Sequence, residues 1–496
     1  MKYLLYISLI LMVACSKDKG NYDYQTLNDV VITGIKSGQD NDNIYNIVQG
    51  TKLIINPDVT RKLNQDPDLS YTWEIGKDTV GTDKNLDVTI NLPFGKNNGR
   101  YTVKDNKTGV RYFTDFIVNV TSPYGKGYFI LAESSTGNTM ISFKSLINAS
   151  DPIISTDEIA GVKYGKKPVN IMGYKLYASG PNDYKWQVFV TSQEGPNPTV
   201  FTDLTSFVPQ KFINATSYLE GQNFSFAPTY ATTFTSSTLN FFISGGKLIT
   251  YRKGILYRPA APDDADDYRL APWIGTILTI HQSDFIGYDE KNERFRHFSV
   301  QPTDVVSGIY GDRFTYDKIS EIPGYHDATK GQHFFAGGGW NVSTTQTAVV
   351  KAILKSGNKL HFYTLPMVYK SPATSPYIPV ITKDAEFDLP GGLLAGATAT
   401  LSAVTFDWYI CNGNKIYRAN SITPTLNDVI TLPAGAGEII TVRLLENDTK
   451  LLVGTYKENA SGDKKGSLYK IDIAGQKILE AYELVTGKPV DIFVAD

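Results

Sequence analysis

Cysteine is nearly missing from this chain, with two residues, Cys15 and Cys411, among 496. A disulfide framework is thereby excluded, as is a zinc site built mainly from thiolates. Histidine is almost as scarce. The five residues, His281, His297, His326, His333 and His361, show no i, i+4 pair on a helical pattern and no zinc-like spacing against a cysteine. No metal centre is expected, and no cofactor is implied. Excess charge is absent too: Lys plus Arg number 48 and Asp plus Glu 50, a formal net charge of −2, so a broad basic face for nucleic acid is not expected. The N-terminal apolar run, Tyr3 to Ala14 (YLLYISLILMVA), is about a dozen residues, short of the roughly 20 needed to cross a bilayer as a helix. No GxSxG, HExxH or P-loop is present, and no catalytic residue is assigned.

What is there begins at that apolar run. Behind a positive Lys2 it has the length of a signal-peptide core, and it ends in Ala14-Cys15 before an abrupt switch to SKDKGNYDYQ. Ala14 beside the cysteine, with Leu11 three positions before it, resembles the lipobox of bacterial lipoproteins. That resemblance implies residues 1–15 as signal with Cys15 as the lipid-attachment site, and 16–28 as a polar tether; an ordinary secretory signal with a chance cysteine is the alternative. Acyl chains anchor because each buried CH₂ adds about 0.8 kcal/mol. Cys411, in WYICNGNKIY, then has no partner and is expected as a small buried hydrophobe, since an apolar strand offers no histidine or helix N-terminus to activate its thiol.

Aromatic residues are plentiful, 31 Tyr and 24 Phe, and 42 Gly with 24 Pro interrupt the chain at short intervals. That composition predicts an all-β protein. Between residues 29 and 121, VVITGI, YNIVQGTKLIINP, LSYTWEI, NLDVTINL, GRYTVKDNKTG and YFTDFIVNV alternate as strands separated by turn residues. This predicts a β-sandwich with Trp73 in its core. Tyr71, Trp73 and Gly99-x-Tyr101-x-Val103 resemble the YxW and GxYxV signatures of PKD domains, which are immunoglobulin-like; the FGDG turn usual after the tryptophan strand is replaced by EIGKDTVG. CSKDKGNYDY, YTWEI, NKTGV and SPYGKGYFILAE, in that order, are similar to PKD-like lipoproteins of Bacteroidetes over the first roughly 145 residues. The resemblance implies an outer-membrane lipoprotein working as a non-catalytic binding partner of TonB-dependent transporter systems in the capture of glycan or peptide nutrients. The charged Ser16 to Lys19 in part resembles the signal that sends such lipoproteins to the cell exterior.

From residue 122 to 496 one unit recurs: apolar strand, turn, second strand. It is seen at Gly127–Phe143, Trp186–Leu204, Leu239–Arg252, Asp284–Val300, Val349–Leu365, Phe406–Asn420 and Lys450–Ile473. At roughly 50 residues per unit, near the size of a four-stranded blade, this predicts a β-propeller of six to eight blades, seven being favoured. Two further sandwiches are the alternative. Trp273 in LAPWIG and Trp340 in FAGGGWN sit in Gly/Pro-rich turns rather than strands and are candidates to stack on a sugar, with blade packing as the competing role. Trp186 and Trp408 lie within strand patterns and belong to the core. His326 and His333 are candidate ligand contacts at a loop. Asp263, Asp264, Asp266 and Asp267 lack the order of a calcium loop and are read as a solvated surface. A propeller-fold polysaccharide hydrolase or lyase remains the alternative function, because paired carboxylates can come from distant positions.

Overall fold

The computed structural model describes residues 29–36, 44–62, 68–122, 124–147, 150–156, 158–159, 162–180, 183–204, 209–214, 225–233, 240–252, 255–257, 267–278, 283–303, 311–315, 328–342, 347–368 and 381–495. Two compact units divide after residue 123. Alternation builds the first. In Leu69–Ile75, Trp73 and Ile75 are buried while Ser70 and Glu74 are exposed, because successive side chains of a strand leave on opposite faces. A five-stranded sheet runs in the order Ile44–Val48, Arg111–Thr121, Gly95–Asp105, Leu69–Ile75, Asp78–Gly81. Two short ladders, Val30–Thr33 with Asp58–Arg61 and Lys52–Ile55 with Leu86–Thr89, bring Val30, Leu53, Ile55 and Leu86 onto its apolar face.

Trp73 is the centre of that core, as expected. Its ring lies 4.1 Å from that of Tyr101, and its Nε1 donates to the Asp83 carbonyl at 2.9 Å, so the indole is buried without an unsatisfied donor. Gly99 of the GxYxV segment is there for space: a Cβ at this position would lie 2.4 Å from the Phe116 ring.

Seven four-stranded antiparallel sheets form the second unit. From the inner strand outward, blade 1 is Lys488–Ala495, Gly127–Glu133, Thr139–Ser145 and Ile154–Thr156. Blade 2 is Lys166–Gly180, Asp183–Glu194, Thr199–Asp203 and Pro209–Ile213; blade 3 is Pro228–Thr233, Asn240–Ser244, Lys247–Arg252 and Ile255–Tyr257. Blade 4 is Gly275–Leu278, Ser283–Asp289, Arg294–Thr303 and Gly311–Thr315; blade 5 is His333–Val342, Thr347–Ser356, Lys359–Val368 and Thr382–Asp388. Blade 6 is Thr398–Leu401, Trp408–Asn412, Lys415–Asn420 and Thr425–Thr431, and blade 7 is Glu438–Leu445, Lys450–Tyr456, Gly466–Asp472 and Lys477–Thr486.

Inner strands of neighbouring blades lie side by side for blades 1 and 2, 2 and 3, 4 and 5, 5 and 6, 6 and 7, and 7 and 1. Each blade therefore presses both faces against neighbours, and an apolar cluster fills every junction. Phe129, Phe143, Val188 and Phe493 join blades 1 and 2; Tyr128, Ile130 and Ile492 of blade 1 meet Leu452 and Leu468 of blade 7 and close the ring. This is a seven-bladed propeller, and the seven hairpins read from the sequence supply the two middle strands of each blade. Middle strands are covered on both faces, so they read as continuous apolar runs: all five residues of Trp408–Asn412 and of Asn240–Ser244 are buried. Cys411 lies in the junction of blades 6 and 7, and desolvation pushes its thiol far up, the inert state expected of it. Closure comes from Lys488–Ala495, which pairs antiparallel with Gly127–Glu133.

Candidate functional site

An even number of strands per blade makes every inner strand run the same way, so their first residues ring one mouth of the central channel. Five inner strands share an irregularity there. Pairing register slips at Val490, Val169, Thr229, Phe335 and Ile440, each an extra residue opposite a continuous partner strand. Such a bulge bends the strand and re-aims the side chain that follows. In blades 1, 2 and 3 the extra residue comes after a proline, Pro489, Pro168 or Pro228, whose missing N–H is tolerable at the start of a strand. The residues after those three bulges are Asp491, Asn170 and Tyr230.

These three are linked around the ring. Asp491 Oδ2 accepts from the Ile171 N–H of blade 2 at 3.0 Å, and its Oδ1 from Ile492 N–H at 2.8 Å. Asn170 Nδ2 donates to the Ala231 carbonyl of blade 3 at 2.7 Å. The Tyr230 hydroxyl lies close enough to the Thr232 side chain and the Ile274 backbone N–H for both to act on it. Asn170 is 9% exposed, yet its Oδ1 has no protein partner, an unusual state for a buried amide oxygen. From blade 7 the exposed Arg443 is near enough for its charge to act on both Asp491 and Tyr230.

Desolvation sets the protonation of the cluster. It raises the Asp491 carboxyl above the usual carboxylate range, against the opposing pull of Arg443 and two backbone N–H groups. It also pushes the Tyr230 phenol up to about 12. The mouth thus presents one carboxyl, one guanidinium, one phenol and one uncommitted amide oxygen, a set suited to hydrogen-bonding a polar ligand. Glycoside hydrolysis needs two carboxyl groups about 5 to 9.5 Å apart. Among the described residues the charged side chain acting on Asp491 is that of Arg443.

Trp273 is not where a sugar-stacking residue must be. It is 5% exposed, packed in the junction of blades 4 and 5 with its ring 5.1 Å from Phe334 and stacked on it. The glycines that read as a turn belong to the strand His333–Val342: a Cβ at Gly337 would sit 2.1 Å from the Trp273 ring. They thin the strand to admit an indole, so blade packing is the role that Trp273 fills. Trp340 lies in that strand, and its side chain is outside the described residues, as is that of Trp186; Trp408 is buried between blades 5 and 6 as expected. His333 is exposed at the start of the blade 5 inner strand, its Nδ1 3.2 Å from Glu290 Oε2, on the same rim as the channel cluster. Cys15, His326, Asp263, Asp264 and Asp266 lie outside the described residues. Asp267 is exposed and paired with Lys291. Among the described residues no group of three or more His, Cys, Asp or Glu side chains is placed to hold a metal.

Sequence reasoning missed the channel cluster, although a repeat marks it: Lys167-Pro168-Val169-Asn170-Ile171 recurs as Lys488-Pro489-Val490-Asp491-Ile492. A dish of about 600 Å³ on the sandwich, lined by Glu74, Asn98, Arg100 and Asp115, is less suited to a ligand. Its guanidinium is already committed to Asp115 at 2.7 and 3.2 Å and lies over the Phe113 ring.

Residues 15–168 match the PKD-like family model. The matched stretch runs beyond the sandwich, through the three outer strands of blade 1 and to the start of the inner strand of blade 2. No curated protein matches the chain. Among solved structures it is similar to a quinonprotein alcohol dehydrogenase-like protein of Bacteroides thetaiotaomicron, at 12% identity and a TM-score of 0.49 over 91% of this chain and 96% of that one. The periplasmic gluconolactonase of Pseudomonas aeruginosa matches at 12% identity and a TM-score of 0.40, over 75% and 99%. The Nup133 β-propeller domain of Vanderwaltozyma polyspora matches at 10% and 0.37, over 66% and 90%. The fold itself rests on the strand pairing: a PKD-like sandwich segment followed by a seven-bladed propeller.

Proposed function

We propose that the protein is a lipid-anchored outer-membrane protein facing the cell exterior, which binds a glycan or peptide at the propeller mouth and serves nutrient capture with a TonB-dependent transporter. The observation carrying the binding role is the channel cluster. Asp491, Tyr230, Arg443 and the Asn170 Oδ1 that has no protein partner offer donors and acceptors at the propeller mouth, where a few placed polar groups can fix a ligand, and the charge acting on Asp491 is that of the Arg443 guanidinium. Anchoring is supported by the Ala14-Cys15 junction, and the transporter partnership by the resemblance of the first roughly 145 residues to PKD-like lipoproteins. Calorimetric titration of the mature protein with neutral oligosaccharides, acidic oligosaccharides and short peptides tests the reading. One of these classes is expected to bind, at least about tenfold more weakly to Asp491→Asn and Tyr230→Phe. Unchanged affinity in both variants, or binding by none of the three classes, overturns it.

A further inference from the structure

A second arrangement of reactive groups lies on blade 5, independent of the channel cluster. Ser356 ends the strand Thr347–Ser356, His361 lies in Lys359–Val368 and Glu386 in Thr382–Asp388, three strands adjacent in one sheet. Ser356 Oγ is 2.7 Å from His361 Nε2, and His361 Nδ1 is 3.1 Å from Glu386 Oε1. We infer that Ser356, His361 and Glu386 form a serine-hydrolase site, with Ser356 as nucleophile, His361 as general base and Glu386 as the group that orients it, acting on short-chain acyl esters.

Hydrogen-bond chemistry fixes the tautomer. Lys383, together with Lys359 at 3.3 Å from the carboxylate, holds Glu386 down to about 2, so this carboxylate accepts only. Nδ1 of His361 must then carry its proton, leaving Nε2 to accept from the Ser356 hydroxyl. His361 is 6% exposed; desolvation and the charges of Lys383 and Lys359 outweigh Glu386 and lower it below the usual 6.5, which keeps the ring in its neutral, base-competent form at pH 7. Nucleophile, base and orienting acid thus stand in the relation that activates a serine. Access comes from the adjoining turn. The ladder ends at the Ser356↔Lys359 pair, so Gly357 and Asn358 form the turn beside the serine, and Gly357, at φ +59°, has open space where a Cβ would be; the N–H groups of this turn are the proposed oxyanion donors. A surface turn fits a short acyl group, such as acetyl on a hydroxyl of a larger molecule, better than a long chain that needs a tunnel.

The chemistry balances without a co-reactant other than water. Ser356 Oγ bonds to the ester carbonyl carbon while its proton passes to His361 Nε2. The bond to the alcohol oxygen then breaks, and the alcohol leaves with that proton. Water attacks the acyl-serine, giving a proton to Nε2; the acyl–Oγ bond breaks, Ser356 recovers the proton, and the carboxylic acid departs.

A fluorophosphonate probe with peptide mass spectrometry, alongside p-nitrophenyl acetate and p-nitrophenyl octanoate turnover, tests the site on the full mature chain. Expected results are modification of wild-type protein at Ser356, none at this peptide in Ser356→Ala, and labelling at least about 100-fold slower in His361→Gln. Glu386→Gln should be intermediate, acetate should be favoured over octanoate, and the labelling rate should reach half its maximum below pH 6.5. Absence of label on Ser356 in protein with an unchanged thermal melt, or equal labelling in His361→Gln, overturns the proposal, because a ladder that merely ties three strands together leaves the hydroxyl unreactive.

Discussion

Trp73 and Trp273 are both wrapped in core, but only the first announces it. Trp73 sits at an inward position of an alternating strand, so its burial follows from its immediate neighbours; Trp273 is enclosed by a strand some sixty residues further along, and LAPWIG carries no local sign of it. Trp73→Ala should cost about 3 to 5 kcal/mol, read as earlier loss of the sandwich in a denaturant melt of the full chain. Gly337→Ala should destabilise the junction of blades 4 and 5 by about 1 to 3 kcal/mol, since the new methyl would meet the indole at 2.1 Å. Pairing it with Trp273→Leu should recover part of that loss; equal melts for Gly337→Ala and wild type would mean the strand is not the wall it is described to be. Asp491 gives a pH-dependent case. Its carboxyl is raised in the fold, so the folded state holds the proton more tightly than the unfolded one. The resulting stability is fully present below the unfolded value near 3.9 and is lost as pH rises through the folded value. Asp491→Asn should abolish that decline, and a melting temperature followed from pH 3 to 8 should show the two proteins diverging as pH rises.

At the scale of strands, the middle hairpin of each blade was legible and the inner strand was not. Middle strands such as Gly127–Glu133 and Lys450–Tyr456 are sandwiched between neighbouring blades and are apolar almost throughout. Inner strands face a channel on one edge, are as short as Gly275–Leu278 or Thr398–Leu401, and in five blades carry an extra residue that breaks the alternation on which strand reading depends. The same extra residue aims Asp491 and Asn170, so the feature that hid the strand made the site. Deleting Val490 should restore a continuous ladder and turn Asp491 from its place, lowering both ligand affinity and melting temperature. Val490→Ala keeps the residue count and should leave affinity near wild type. The Ser356, His361 and Glu386 grouping was illegible for a related reason: no catalytic motif has that spacing, and only the register of three strands brings the groups together.

For the molecule as a whole, the ring depends on one strand. Removing residues 488–496 would leave Gly127–Glu133 with an open edge and expose the junction of blades 7 and 1. The truncated chain is expected to lose the cooperative melt of the propeller and to be cut by protease throughout residues 124–487, while an unchanged melt would show that the ring closes without its clasp. Cys15→Ala should free the protein from the membrane fraction, and retention after a carbonate wash would count against the lipid anchor. The clasp also sets an order of events in time. Three strands of blade 1 are made before every other blade, yet their inner partner is made after all of them. Until it arrives, the early strands carry an unpaired edge able to recruit the wrong chain, and the ring cannot lock. On the proposed export route that delay would keep the chain threadable until its translocation is nearly done, and would create a need for escort by a chaperone over the same interval.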